Sequence, residues 1–237
     1  MEQTNEINKV IEIPIAERRF LDRKILKFKK NIIFISPLIV FFFSLIGFSF
    51  KSNFKINNFT ISNSDLRILG HLPYEETSKE ELVLIEPHIW VHKDMSQSLI
   101  RMRNDAKKEG VNLVFLSGYR SIKLQEEIFY SLKSVRNQNA SERARVSAPP
   151  GYSEHSTGFA IDIGDANYRE KDFEVEFENT EAFEWLKMNA AKYHFKLSFK
   201  KNNKYIDYEP WHWRYEGSIE ALKIFETANR EFLKINN

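Results

Sequence analysis

A chain of 237 residues with a formal net charge of +2, 42% hydrophobic residues and no cysteine has room for one domain of ordinary size and something besides. The missing cysteines exclude disulfides, thiolate metal ligands and a cysteine nucleophile together. Residues 1–30 carry +3, so the remainder carries −1, and no basic stripe suited to a nucleic-acid groove is present.

Residues 1–30 show no apolar face and read as a cytoplasmic basic tail. Residues 31–50 carry no charge and hold the runs Ile32-Ile33-Phe34-Ile35 and Phe41-Phe42-Phe43. As a helix they would be about 30 Å long, the thickness of a bilayer core, which predicts a transmembrane anchor in contact with the lipid bilayer. Arg18, Arg19, Arg23, Lys24, Lys27, Lys29 and Lys30 precede the run, against Lys51 and Lys55 just after it. That asymmetry keeps the N-terminus inside and exports the rest to the cell envelope. A cleaved signal peptide with Gly47-Phe48-Ser49 as its site is the rival, but the leader is long for one. Residues 51–80, rich in Asn, Ser and Lys, read as a spacer, and 81–237 as the domain.

Within the domain, 82–85 reads as a strand and 94–108 as a helix with Leu99, Met102 and Ala106 inward and Gly110 as its stop. A buried strand at 111–116 leads into Ser117-Gly118-Tyr119-Arg120-Ser121, where Ser121 caps a helix to about 135 with Leu124, Ile128 and Leu132 inward. Residues 137–153, broken by Pro149-Pro150-Gly151, form a long loop, and Ile161 and Ile163 mark another strand. After a charged excursion over 165–179, Thr180 caps a helix with Phe183, Leu186 and Ala190 inward. A hairpin is expected from 196–199 through Asn202-Asn203 to 205–208, then a strand at 211–215. Ser218 caps a last helix with Leu222, Phe225 and Phe232 inward. Interleaved helices and an antiparallel hairpin predict an α+β class, a small antiparallel sheet flanked by helices.

Two clusters carry the chemistry. His155 and Asp162 lie seven apart around Gly158, and Glu209 and His212 lie three apart around Pro210. Two imidazoles and one carboxylate suit a zinc ion that keeps a fourth position open, and the carboxylate left over is free to act as a base. Ile161 and Ile163 flank Asp162, so burying them turns the carboxylate to the opposite face. On a regular strand Glu209 and His212 would diverge, so their convergence requires a bend at Pro210. His71, His88, His92 and His194 lie outside the motifs and read as surface or packing residues, with His92 able to approach the site. Trp211 and Trp213 read as wall and core.

Ser117-Gly118-Tyr119-Arg120-Ser121 with Gln125, then Ser153-Glu154-His155-Ser156-Thr157-Gly158-Phe159-Ala160-Ile161-Asp162, then Glu209-Pro210-Trp211-His212-Trp213, resemble the zinc D-alanyl-D-alanine carboxypeptidases of the VanY type, which share a fold with the hedgehog signalling domain. The resemblance spans about 85–216. It implies that His155, Asp162 and His212 bind Zn2+, that Glu209 is the general base and that Arg120 polarises the scissile carbonyl. It also implies that Gln125 and Ser153 hold the substrate's terminal carboxylate, with Ser117 and Tyr119 as further substrate-binding positions, and that the substrate is a peptidoglycan stem peptide. An L,D-carboxypeptidase, an endopeptidase and a non-catalytic zinc module remain rivals within the same apparatus. Serine-peptidase S-x-x-K patterns at Ser52–Lys55 and Ser198–Lys201 lack a following K-T-G element and are set aside.

Overall fold

Strand β4 (Ala160–Asp165) is buried along its whole length, because it lies inside a sheet covered on both faces. Its neighbours are β3 (Leu113–Ser117) and β6 (His212–Tyr215), and β5 (Phe195–Leu197) lies outside β6, giving the order β3-β4-β6-β5 with every pairing antiparallel. The structure, a computed structural model, describes residues 67–233. The basic tail, the apolar run 31–50 and most of the spacer lie outside them, and no helix among the described residues is long and apolar enough to cross a membrane.

The alternation in β4 divides the molecule. Ile161 and Ile163 enter a core built with Met95, Leu99, Met102 and Ala106 of α1 (Lys93–Lys108) and with Phe183 and Leu186 of α4 (Glu181–Asn189). Each of these side chains larger than alanine contributes about 1.5–3 kcal/mol on full burial. Asp162 points away from that core, as the period of two requires. The last helix, α5 (Ile219–Leu233), buries Ala221 and Phe225, whereas Leu222 is 43% exposed. Phe225 faces inward as expected, and Ala221 rather than Leu222 is buried beside it.

Local chemistry sets the boundaries. Ser121 Oγ accepts from Leu124 N at 3.0 Å and starts α2 (Ile122–Val135), and Thr180 Oγ1 accepts from Phe183 N at 3.2 Å and starts α4. Helix α1 is capped instead by an imidazole, His92 Nδ1 accepting from Asp94 N at 3.3 Å. The strand expected at 82–85 is β1 (Leu82–Glu86), which returns at once as β2 (Ile89–His92) in a separate antiparallel pair. The loop 137–153 contains a short helix, α3 (Ala140–Ala144), held by a reciprocal cap between Asn139 and Glu142.

Two expectations are corrected. The hairpin over 196–208 does not form. Asn203 Oδ1 accepts from Tyr205 N and Ile206 N and so closes a local turn, Asp207 N donates to Arg145 O, and β5 takes β6 as its partner. The end of the spacer belongs to the domain. Tyr74 N donates to Gly151 O and Thr77 N to Ser156 O, both at 2.9 Å, and the Glu76 carboxylate accepts from Tyr119 Oη and Ile122 N.

Candidate metal centre and active-site cavity

A short 3-10 turn, Glu154–Thr157, brings His155 to β4. Ser153 Oγ accepts from His155 N at the start of the turn, and Gly158 ends it at φ +74°. A Cβ on Gly158 would sit 3.1 Å from both His92 N and Leu82 Cδ2, so a side chain there meets strain and crowding together. Across the sheet, Asp162 is directly paired with His212, which puts both side chains on the face opposite the core. The required bend is present at Pro210. His212 N donates to Glu209 O at 3.2 Å, and Glu209 Oε2 comes within 3.9 Å of His212 Nδ1.

The donor atoms fit a divalent cation. His155, Asp162 and His212 each offer one atom, all within 4.8 Å of one another, and all three residues are buried. His155 Nδ1 lies 2.6 Å from Gly118 O, and a carbonyl only accepts, so Nδ1 carries the hydrogen. The other nitrogen, Nε2, is buried without a hydrogen-bond partner and faces Asp162 Oδ2 at 3.2 Å. Burial and the nearby Arg120 hold the His155 imidazole down to about 4, so at neutral pH this is a bare lone pair facing a carboxylate. A cation between them resolves the conflict. Contacts of 3.2 Å match the separation of about 3.3 Å between neighbouring ligands on a tetrahedral ion with bonds of about 2.0–2.1 Å.

The remaining groups are tuned by the same crowding. Burial opposes charge on Asp162, but the two imidazoles overcome it and hold the carboxyl well below the ordinary range. On His212 burial is outweighed by hydrogen bonds to Asp162 and Glu154, which raise it to about 10. Glu209 goes the other way. Burial first, then the charges of Asp162 and Glu154, push its carboxyl up to about 8.

A cavity of about 320 Å³ opens over this cluster, and Arg120, Ser153, Glu209, Trp211 and Tyr208 line it together with the three donors. The α3 loop supplies Ser147 and Ala148 to its wall, and the excursion 165–179 supplies Phe173, which sits at φ +59° with its ring 5.9 Å from that of Trp211. Ser117, Tyr119 and Gln125 are not among the lining residues. Ser117 is buried beside Asp162 at a bulge in the β3–β4 pairing. Tyr119 Oη donates to Glu76 Oε1 at 2.6 Å, and Gln125 Nε2 donates to Ala148 O at 2.7 Å, which fixes the loop that forms the wall. Ser198 and Lys201 do not face each other as a nucleophile and base. Ser198 Oγ donates to Glu154 Oε2 and Lys201 pairs with Glu178, both at 2.6 Å, and Ser52 lies outside the described residues.

Gly118 is a fixed point of this arrangement. A Cβ there would stand 2.2 Å from Trp90 O, a backbone atom that already accepts from Tyr119 N at 2.7 Å. Gly118→Ala must shift the carbonyl behind His155, and the expected result is a loss of about tenfold or more in metal affinity, as for other outer partners of metal-bound histidines. Chelator competition measures it, and an unchanged affinity would show that the carbonyl does not orient the ring.

Two imidazoles, one ligand carboxylate and one free carboxylate in a cavity define a mononuclear metal site of the hydrolase type. Residues 88–218, more than half of the chain, match the VanY family of D-alanyl-D-alanine carboxypeptidases, and the chain belongs to that family. It is 38% identical over 142 residues to YodJ of Bacillus subtilis, covering 58% of this chain and 50% of that protein. A D-alanyl-D-alanine carboxypeptidase of Enterococcus faecium is 31% identical over 138 residues, covering 56% of this chain and 40% of the relative. The chain thus spans about half the length of the curated relatives it matches. The solved LdcB LD-carboxypeptidase, whose structure addresses peptidoglycan recognition, aligns with a TM-score of 0.52 at 31% identity, covering 69% of this chain and 76% of that one.

Proposed function

We propose that this protein is a zinc-dependent D-alanyl-D-alanine carboxypeptidase that removes the terminal D-Ala from peptidoglycan stem peptides. The observation that carries the reading is Glu209, a nearly buried carboxylate beside the His155/Asp162/His212 cluster and open to the cavity. A structural zinc site has no use for it. Zinc held by those three residues would lower the pKa of water and polarise a peptide carbonyl.

The chain's own groups do the rest. Glu209, whose carboxyl burial raises in the zinc-free protein, would be drawn back to the charged form by a dication beside it and so take a proton from water and give one to the departing amine. Arg120, on the cavity wall, is placed to stabilise negative charge that develops on the carbonyl oxygen. Ser153 offers a hydroxyl to the substrate's terminal carboxylate. Gln125 acts on that subsite through the loop at Ala148.

The likeness to LdcB supports a second reading, L,D-carboxypeptidase activity on tetrapeptides, with the α3 loop and the Phe173 excursion setting the choice. Incubating residues 51–237 with pentapeptide and tetrapeptide muropeptides, and reading products by mass, separates the two. Loss of one alanine from the pentapeptide alone supports the D,D reading, and loss from the tetrapeptide moves the assignment to L,D. Zinc-loaded protein that trims neither overturns both in favour of a binding module. We further propose that residues 31–50 anchor the domain at the outer face of the membrane. The test is whether deleting residues 1–50 releases the protein from the membrane fraction.

A further inference from the structure

We propose that Glu154 is a positioning residue for the metal, fixing His212 in the tautomer whose Nδ1 lone pair faces the site. The inference rests on the zinc reading of the cluster. Four donors from distant parts of the chain converge on this carboxylate, which is 4% exposed. His212 Nε2 at 2.9 Å and Ser198 Oγ at 2.6 Å meet Oε2, while Arg214 Nη1 at 3.0 Å and Tyr74 Oη at 3.5 Å meet Oε1. The nearest of them in sequence is 44 residues away.

Burying a carboxylate is costly even when it is paired, and an apolar side chain could fill the same space. What an apolar side chain could not supply is an acceptor behind the imidazole. A carboxylate accepts and does not donate, so the contact requires the hydrogen on His212 Nε2. The neutral ring, which is the form that ligates, then has its lone pair on Nδ1. That nitrogen lies 3.2 Å from Asp162 Oδ1 and 3.9 Å from Glu209 Oε2, on the metal side. His155 is oriented in the mirror sense, its Nδ1 hydrogen on Gly118 O and its Nε2 toward Asp162. The two rings are thus held from behind, one by main chain and one by Glu154.

Arg214 makes the arrangement directional. It is fixed by Glu216 at 2.7 Å and lies 4.9 Å over the Phe225 ring, and a guanidinium only donates. In Glu154→Gln the amide oxygen must therefore face Arg214, which turns the NH2 group toward His212 Nε2. That nitrogen then accepts, and the hydrogen moves to Nδ1, where it blocks the metal.

The test is the zinc affinity of folded protein, by competition with a fluorescent chelator and with folding checked by circular dichroism. Glu154→Gln is expected to bind zinc about 10–100-fold more weakly. Adding Arg214→Gln frees the amide oxygen to face His212 and is expected to recover about tenfold, which a merely structural role would not do. Folded Glu154→Gln with wild-type affinity overturns the proposal. Should that variant not fold, ¹H–¹⁵N imidazole spectra of zinc-loaded wild-type protein decide. A hydrogen on His212 Nε2 supports the assignment and a hydrogen on Nδ1 overturns it. Wild-type protein that takes up no zinc overturns the zinc reading itself, and this inference with it.

Discussion

Glu209→Gln is expected to lower turnover about 10²–10⁴-fold, the usual loss when a general acid–base group is removed, and at the same time to make the zinc-free fold more stable. The second effect follows from the direction of the shift. Burial pushes the Glu209 carboxyl from 4.5 up to about 8, so the folded state holds a proton that the unfolded state has lost. Between those values the fold works against the charge, and each pH unit costs about 1.4 kcal/mol. At pH 7 a neutral isostere should recover on the order of 2–3 kcal/mol, a rise of about 5–10 °C in Tm for a domain of this size. The sign can be checked by repeating the melts at pH 4, below the unfolded value, where both states are protonated and the gap should close. Calorimetry on the zinc-free pair measures it. A variant no more stable than wild type at pH 7 would mean that Glu209 is solvated and not poised as a base.

Local causes are legible in the chain and distant ones are not. Ser121 and Thr180 announce α2 and α4 because a cap acts within three residues, and Ile161 and Ile163 announce the face of Asp162 because strand alternation is local. The metal cluster was legible because its residue types are rare and their spacing is tight. The α3 helix is missed inside the expected loop 137–153, although Asn139 and Glu142 form a capping pair at the standard interval. The partners of Glu154 were not legible. Ser198, His212 and Arg214 reach it only after the sheet has formed, and nothing in Ser153-Glu154-His155 distinguishes a tethering carboxylate from a solvated one. The failed hairpin has a similar origin. Asn202-Asn203 has the composition of a hairpin tip, but the Asn203 side chain satisfies Tyr205 and Ile206, and the pairing of β5 with β6 joins Leu197 to Trp213. Gly118 lies within the SGYRS motif, yet its task depends on Trp90 O, a contact between β2 and the turn after β3 that no spacing reveals.

Zinc uptake should release protons, and their number should report which side chains the metal displaces them from. In the zinc-free protein His212 is an imidazolium up to about pH 10, whereas His155, held near 4, is already neutral and Asp162 already charged. Between pH 5 and 8 one proton must therefore leave His212 Nδ1 for each zinc bound, so His212 by itself should make the affinity rise about tenfold per pH unit. Glu209 adds to this. Its carboxyl is largely protonated below pH 8, and a dication nearby favours the charged form, so wild-type protein should release between one and two protons at pH 7. Glu209→Gln should release one. Titration calorimetry in buffers of different ionisation enthalpy counts them directly. Zero release in Glu209→Gln would place His212 in the neutral state before the metal arrives, and its hydrogen bonds to Asp162 and Glu154 could not then be holding its second proton. Below pH 4 the slope should steepen as His155 begins to compete for a proton of its own.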